Sequence, residues 1–373
     1  MRVLCLSFWF YDYTIQFANA LSRRCTVMLL LPDTISQEYL DLIDEQVDVY
    51  RFQYFKSSFL GYFSIFSMIP EIIRQKKAFN PDIIHYQVHN PLLCAILPFL
   101  RGCPHVATIH DVKPHLGEDS MFHRGAVSYK VLLYYSRKYS DHIFVHGKNL
   151  KKYMMDNFSV PGEKVHVMSM GENEVEPFTK YENKNLQEDG NTILFFGRIH
   201  AYKGLDYLIK AEPFITQEVP DAKIVIAGQG EDFSRYEKMM VNRERFIVHN
   251  YRIPYDEGAA LFQRSSVVVL PYIEASQSGV VTTAYGFGKP VIVTDVGSIP
   301  EIVDEGKTGF IVPPKDPEAL AGAIVTLLKN NDQRKMMGEN ALKKLKTDLS
   351  WETIVDTAVV PVYEKALSER EKG

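Results

Sequence analysis

Cysteine is scarce in this chain of 373 residues: Cys5, Cys25, Cys94 and Cys103 are the only four, all in the first third, and none forms a C-x-x-C pair. Such spacing offers neither a disulfide framework nor a zinc ribbon, and points to reduced thiols in a cytosolic protein. Asp-x-Asp is absent too, so no short carboxylate clip for a metal stands out and none is expected. No strand is followed by G-x-G-x-x-G with an acid about twenty residues on, which disfavours a dehydrogenase. Long apolar runs are missing. The longest uncharged stretch, Ile83 to Leu100, contains Gln87, Asn90, Pro91 and Pro98 and makes a poor membrane span. Met1-Arg2 followed by Val3 to Tyr11 imitates a signal peptide, but one positive charge, Asp12 and the many aromatics favour a first β-strand there. There is no low-complexity segment and no short repeat.

What is present is an ordinary globular composition, 46% hydrophobic and 24% charged. A chain of this length exceeds the usual ceiling for one core, so two domains are expected. The net charge of −4 argues against nucleic-acid binding, yet it hides an asymmetry. Between Val49 and Lys152 there are 14 Lys/Arg against 6 Asp/Glu, whereas the remaining residues carry 28 against 40. One basic region inside an acidic chain suggests an anionic surface or substrate on that side.

Short apolar runs alternate with helical patterns. Strands are expected at Val3–Leu6, Thr26–Leu31, Val47–Phe52, Ile83–Tyr86, His105–His110 and His142–His146, with helices at Tyr13–Ser22, Ile69–Phe79 and Gly125–Tyr139. The pattern then restarts. Strands are expected at Thr192–Phe196, Ala222–Ala227, Phe246–Val248, Val267–Pro271, Val291–Thr294 and Gly309–Val312, and helices at Gly204–Ile215, Ser234–Asn242 and Tyr255–Ser265. Alternation of this kind predicts an α/β fold, two parallel sheets in tandem, each covered on both faces. In such sheets ligands sit beyond the carboxyl ends of the strands. The loops after His110, Phe196, Ala227, Pro271 and Thr294 are therefore where function should lie.

One of these loops, in ILFFGRIHAYKGLDYLIKA (193–211), places Gly197, Arg198 and Lys203 between a strand and a helix. Two cations at a helix N-terminus suit a phosphate. The small residues of QSGVV (277–281), Ser278, Gly279 and Val280 among them, leave backbone N–H groups open to complete a diphosphate cradle.

Together with IAGQGED (226–232), PYIE (271–274), GKPVIV (288–293), TGFIVPPKDPEALAGAI (308–324) and SWETI (350–354), these segments resemble the nucleotide-sugar domain of family 4 glycosyltransferases. The first half matches more loosely, through PDIIH (81–85), TIHD (108–111) and VPGEKVHVM (160–168). The resemblance implies a GT-B fold of two Rossmann-like domains. An acceptor domain would cover 1–175, a linker 176–190 and the nucleotide-sugar domain 191–355. A C-terminal helix at 356–373 would return to the first domain. It also implies a hexosyltransferase acting with retention, in polysaccharide or glycoconjugate assembly. Arg198 and Lys203 match the cations that neutralise the donor diphosphate, Glu274 matches the first acid of an E-x7-E motif, and His110 matches the histidine facing the sugar. Arg252 and Ile253 match the segment beside the base, and Gly228 and Gly230 line the same pocket. The co-substrate implied is a UDP or GDP sugar, with no further cofactor.

Two departures matter. Counting forward from Glu274, the second motif glutamate falls on Thr282; counting back from Gly288-Lys289-Pro290, it falls on Thr283. On either count the carboxylate that grips the ribose is missing, and a threonine hydroxyl would hold it less strongly. The loop after the first strand, glycine-rich in the family, here reads SFWFYDYTIQF (7–17). It is expected to form an acceptor wall, with Tyr11, His89 and Asp111 on the acceptor side. Phe52, Tyr54, Phe55, Phe59, Tyr62, Phe63 and Phe66 lie beside Arg74, Lys76 and Lys77, and FHRGAVSYKVLLYYSRKYS spans 122–140. Aromatics beside cations suit an anionic membrane. Residues 52–77 and 122–140 are therefore expected to dock peripherally on the inner face of the plasma membrane, with a glycan or lipid-linked acceptor. Two other readings stay open: a nucleotide-sugar epimerase or hydrolase, and a non-catalytic nucleotide-sugar-binding protein.

Overall fold

The computed structural model describes residues 1–54, 58–88, 90, 92–112, 125–172 and 175–372. They fall into two compact units: residues up to 169 with those from Trp351 onward form the first, and Met170–Ser350 the second. His89 lies outside the described residues, as do the side chains of Phe55, Lys56, Phe59, Tyr62, Phe63 and Phe66.

The first unit holds seven parallel strands, β1 (Arg2–Leu6), β2 (Thr26–Pro32), β3 (Val47–Phe52), β4 (Ile83–Val88), β5 (His105–Ile109), β6 (His142–Val145) and β7 (Val165–Val167). Their order is β3-β2-β1-β4-β5-β6-β7. The second holds β8 (Thr192–Phe196), β9 (Lys223–Ala227), β10 (Phe246–His249), β11 (Val267–Leu270), β12 (Val291–Thr294) and β13 (Gly309–Val312), in the order β10-β9-β8-β11-β12-β13. Both are doubly wound α/β sheets of the kind expected. Strand order reverses direction between β1 and β4 and again between β8 and β11, which marks the crevice where such sheets take ligands. Near-continuous apolar runs such as Leu4-Cys5-Leu6 and Val267-Val268-Val269-Leu270 form buried strands because helices cover both faces.

Several elements differ from expectation. The helix at Ile69–Phe79 extends back to Ser58 and runs through Pro70. Residues 234–242 make one helical turn only, Ser234–Glu237, and Asn242 instead donates through Nδ2 to the buried Glu212 at 2.9 Å. β7 and the helices Lys148–Phe158 and Gly279–Gly286 stand outside the expected elements; Lys148–Phe158 is amphipathic, with Leu150 and Met154 buried four residues apart, whereas Gly279–Gly286 has little apolar period.

The C-terminal segment covers one face of the first sheet. Trp351 meets Tyr13 and Phe17 edge-on at 4.8 and 5.7 Å between ring centroids. His85 bridges the hydroxyls of Tyr363 (2.5 Å) and Thr108 (2.7 Å), a core role. Arg24 forks onto Asp356 at 2.7 and 2.5 Å. The polar stretch 176–190 is tied into the second unit: Phe178 packs on Phe196, Tyr255 and Phe262, and Glu188 accepts from Arg334 at 2.7 Å and Ser266 at 2.9 Å. Among the described residues no helix is long and apolar enough to cross a membrane.

Candidate active site

In the second unit, β8 ends at Phe196, and the chain turns through Gly197 (φ +117°) and the exposed Arg198 into a 3-10 turn, Ala201–Lys203. Gly204 then opens the helix Leu205–Glu218. Glycine is required there: at φ +67°, a Cβ would lie 1.9 Å from the Pro271 carbonyl oxygen. That close approach ties the cation loop to the segment after β11, where Ile273 N–H donates to the Tyr202 carbonyl at 2.9 Å. Lys203 Nζ consequently sits 3.8 Å above the Tyr272 ring, a cation–π contact that holds the ammonium in place. The Arg198 guanidinium donates to the Tyr202 hydroxyl at 3.4 Å. Glu274, half-buried, follows on the same segment.

Next comes the helix Gly279–Gly286, whose N-cap residue, Ser278, makes no side-chain cap. Its hydroxyl faces that of Tyr272 at 3.2 Å instead. The first amides of the helix are thus left without a side-chain partner, at the positive end of the helix dipole. A Cβ on Gly197 would stand 3.7 Å from Val280, so the end of β8 adjoins this helix start. Behind it, Ser298 N–H donates to the Ser276 carbonyl at 3.0 Å and Thr294 Oγ1 to the Tyr272 carbonyl at 2.5 Å. Among the described residues, the buried hydroxyls of Ser276 and Ser298 have no hydrogen-bond partner.

The loops after β8, β9 and β11 are thereby stitched into one rim carrying Gly197, Arg198, Lys203, Glu274, Ser278, Gly279 and Val280. Gly228 and Gly230 stand in the second rank. A Cβ on either would meet the carbonyl oxygen of Gly197 or Ile199 at 2.0 Å, so their smallness brings the β9 loop against the β8 loop. Ile253, partly buried, packs into the same cluster as Phe196 and Val280, while Arg252 beside it is exposed.

Thr282 and Thr283 are both fully buried in the helix Gly279–Gly286. Each hydroxyl donates to the Gly279 carbonyl, at 2.8 and 3.1 Å. Their protons are therefore committed to the helix, and only oxygen lone pairs remain for a ligand.

His110 and Asp111 follow β5 in the first unit. His110 is 1% exposed. Its Nε2 lies 2.8 Å from Gln87 Oε1, and its Nδ1 lies 3.2 Å from His146 Nε2. His146 Nδ1 stands 3.1 Å from the Met168 carbonyl, which can only accept. His146 thus donates through Nδ1 and accepts through Nε2, so His110 donates through Nδ1; a neutral His110 ring then accepts at Nε2, which calls for the Gln87 side-chain amide to be turned over so that its NH2 faces the ring. Burial drives the His146 pKa down to about 4, keeping it neutral. Phe10 lies over the His110 ring at 4.1 Å, and Tyr13 meets its edge at 4.6 Å. Tyr11 donates to the Phe8 carbonyl at 3.1 Å, and burial pushes its phenol up to about 12.

His146, Gln87, Tyr202 and Tyr272 have no role in the sequence reading. His146 was open to inference, because Ile109 pairs with Val145 and so His110 and His146 leave adjacent parallel strands in register. The two tyrosines gave no such signal; their place depends on the close approach at Gly204.

Comparison with known proteins bears on the family and the fold. Residues 178–344 match the family described as glycosyl transferases group 1, and residues 12–172 match glycosyltransferase family 4. An uncharacterised glycosyltransferase of Methanocaldococcus jannaschii is 28% identical over 77% of this chain and 76% of its own. Among solved structures, sucrose-phosphate synthase of Thermosynechococcus elongatus superposes with a TM-score of 0.73 at 19% identity, covering 99% of this chain and 100% of that one. HepE of Anabaena, in complex with UDP, superposes at 0.70 with 16% identity, covering 99% and 100%. With its two halves matched in turn and its two doubly wound parallel sheets, this chain belongs to the family 4 glycosyltransferases of GT-B fold.

Proposed function

We propose that this glycosyltransferase moves a hexose, with retention, from a nucleotide-diphosphate donor to a glycan or lipid-linked acceptor. The observation that carries the reading is the rim in the second unit. Arg198, Lys203 on its tyrosine floor and the uncapped start of the helix at Gly279 converge where a diphosphate would find two cations and open amides. The UDP in the HepE complex supports a UDP sugar, with a GDP sugar as the other choice.

In the reaction the anomeric C–O bond to the diphosphate breaks as a bond to the acceptor oxygen forms on the same face. The acceptor proton passes to an oxygen of the departing phosphate. Arg198 and Lys203 hold the charge that grows there, and Glu274 orients the sugar. Among the described residues no group of three or more His, Cys, Asp or Glu is placed to hold a metal ion. For the acceptor, peripheral docking on the cytoplasmic face of a membrane is supported by the exposed Lys138 on the same helix, Gly125–Tyr139, as the exposed Val131 and Tyr134.

Proton NMR of the sugar released from UDP-glucose or GDP-mannose, with water or a glycan as acceptor, tests the reading. The first-formed product should keep the α configuration. An inverted product, or a covalent sugar–enzyme adduct by mass spectrometry, would overturn the same-face mechanism. Sedimentation with anionic liposomes tests docking, which should weaken as salt rises.

A further inference from the structure

The loop after β1 is built unlike an ordinary turn. Phe10 sits in the left-handed region at φ 56°, ψ 48°, a costly conformation for a bulky side chain. Such strain persists only where the surroundings fix it. Here Thr14 donates to the Phe10 carbonyl through both N–H (2.9 Å) and Oγ1 (2.8 Å), and the Phe10 ring is stacked on His110. Ser7 Oγ bonds the Trp9 carbonyl and lies 3.1 Å from Thr14 Oγ1. Phe8 is buried against Phe52 and Tyr54 at 5.1 and 5.7 Å. The neighbours of Trp9 are thus pinned inward, while Trp9 itself is left 54% exposed. It stands at the carboxyl end of β1, beside the reversal of strand order between β1 and β4, where a sheet of this topology takes its ligand.

An indole is a large, rigid and apolar face with negative charge density over the ring. A pyranose presents the matching surface, a face of C–H bonds carrying slight positive charge, with hydroxyls at its rim. Asp111, half-buried after β5 and next in the chain to the His110 that carries Phe10, is a carboxylate acceptor for such hydroxyls. We propose that Trp9 is the platform of an acceptor subsite that binds a pyranose ring by stacking, so that the group recognised is a sugar of a glycan and not a lipid chain. The proposal rests on the glycosyltransferase reading for the word acceptor, but not for the binding itself.

The chain has only two tryptophans, and the other, Trp351, is buried. Iodide therefore quenches Trp9 selectively in the wild-type protein. The experiment adds p-nitrophenyl-free methyl pyranosides and short gluco-, manno- and galacto-oligosaccharides, with and without UDP or GDP, and follows quenching and melting temperature together. One saccharide series should protect Trp9 from iodide. In transfer assays with that series, Trp9→Ala should raise the acceptor KM roughly tenfold with little change in kcat, a difference the size of one stacking contact. Trp9→Phe should recover much of it, which a loss of fold would not do. Unprotected quenching with every saccharide, or an unchanged KM in Trp9→Ala, would overturn the platform. The nucleotide-induced melting shift reports separately on the donor site: protection without that shift keeps the platform and sinks the donor reading.

Discussion

Arg198 and Lys203 share a loop but act differently. Arg198 is exposed and touches the Tyr202 hydroxyl, whereas Lys203 is fixed by the ring beneath it. Arg198→Ala should lower nucleotide-diphosphate affinity by roughly 10- to 100-fold, the worth of a charge-assisted contact that is partly in water. Thr283→Glu makes a sharper test of the missing motif acid. Because Thr283 is buried and its hydroxyl bonds the helix, a carboxylate there should melt the protein at lower temperature and tighten no nucleotide. Tighter binding in a calorimetric titration would refute that. The buried histidines set a pH dependence. Burial lowers His85 to about 3 and His146 to about 4, so both are neutral in the folded chain while the unfolded chain takes up protons from about pH 6.5 downward. Stability is therefore full above about pH 6.5 and is lost as pH falls toward 4. His146→Gln, which can still donate to Met168 and accept from His110, should flatten that loss in thermal scans at stepped pH. The cations were legible in the sequence because their spacing matches a strand–loop–helix turn. The burial of the threonines was not, since Val-Val-Thr-Thr carries no period that tells an inward face from an outward one.

At the scale of elements, the strands were the most legible part, because short β-branched runs bounded by glycine and proline leave little choice. Helix Gly279–Gly286 was hidden: Gly, Val and Thr are poor helix formers, and tertiary packing decides the matter. The segment 176–190 reads as polar linker, but Glu188 faces two cations, Lys289 at 3.3 Å and Arg334 at 2.7 Å, both largely buried. Glu188→Ala leaves those charges without their partner and should cost roughly 2–3 kcal/mol in denaturant titrations, less than a fully buried pair because Glu188 is partly in water. Gly204→Ala should be severe at the site. With the Pro271 oxygen in the way, the loop must shift, so both melting temperature and nucleotide affinity should fall.

For the whole molecule, sequence alternation announces two parallel sheets and the family resemblance implies a C-terminal helix that returns to the first domain, while strand order and the part played by Trp351 emerge only from the structure. Trp351 and Tyr363 pack on Tyr13, Phe17 and His85, contacts with no sequence period to announce them. Truncation after Ser350 uncovers that face and should give an aggregation-prone protein with a lower melting temperature. The central claim, that the second unit holds a nucleotide diphosphate by its phosphates, is tested most directly by calorimetric titration of wild type and Arg198→Ala with UDP, GDP and the parent nucleosides. The account predicts that one diphosphate binds wild type well above its nucleoside, and that Arg198→Ala erases most of the difference. A nucleoside binding as tightly as its diphosphate, or an unchanged affinity in Arg198→Ala, would contradict it.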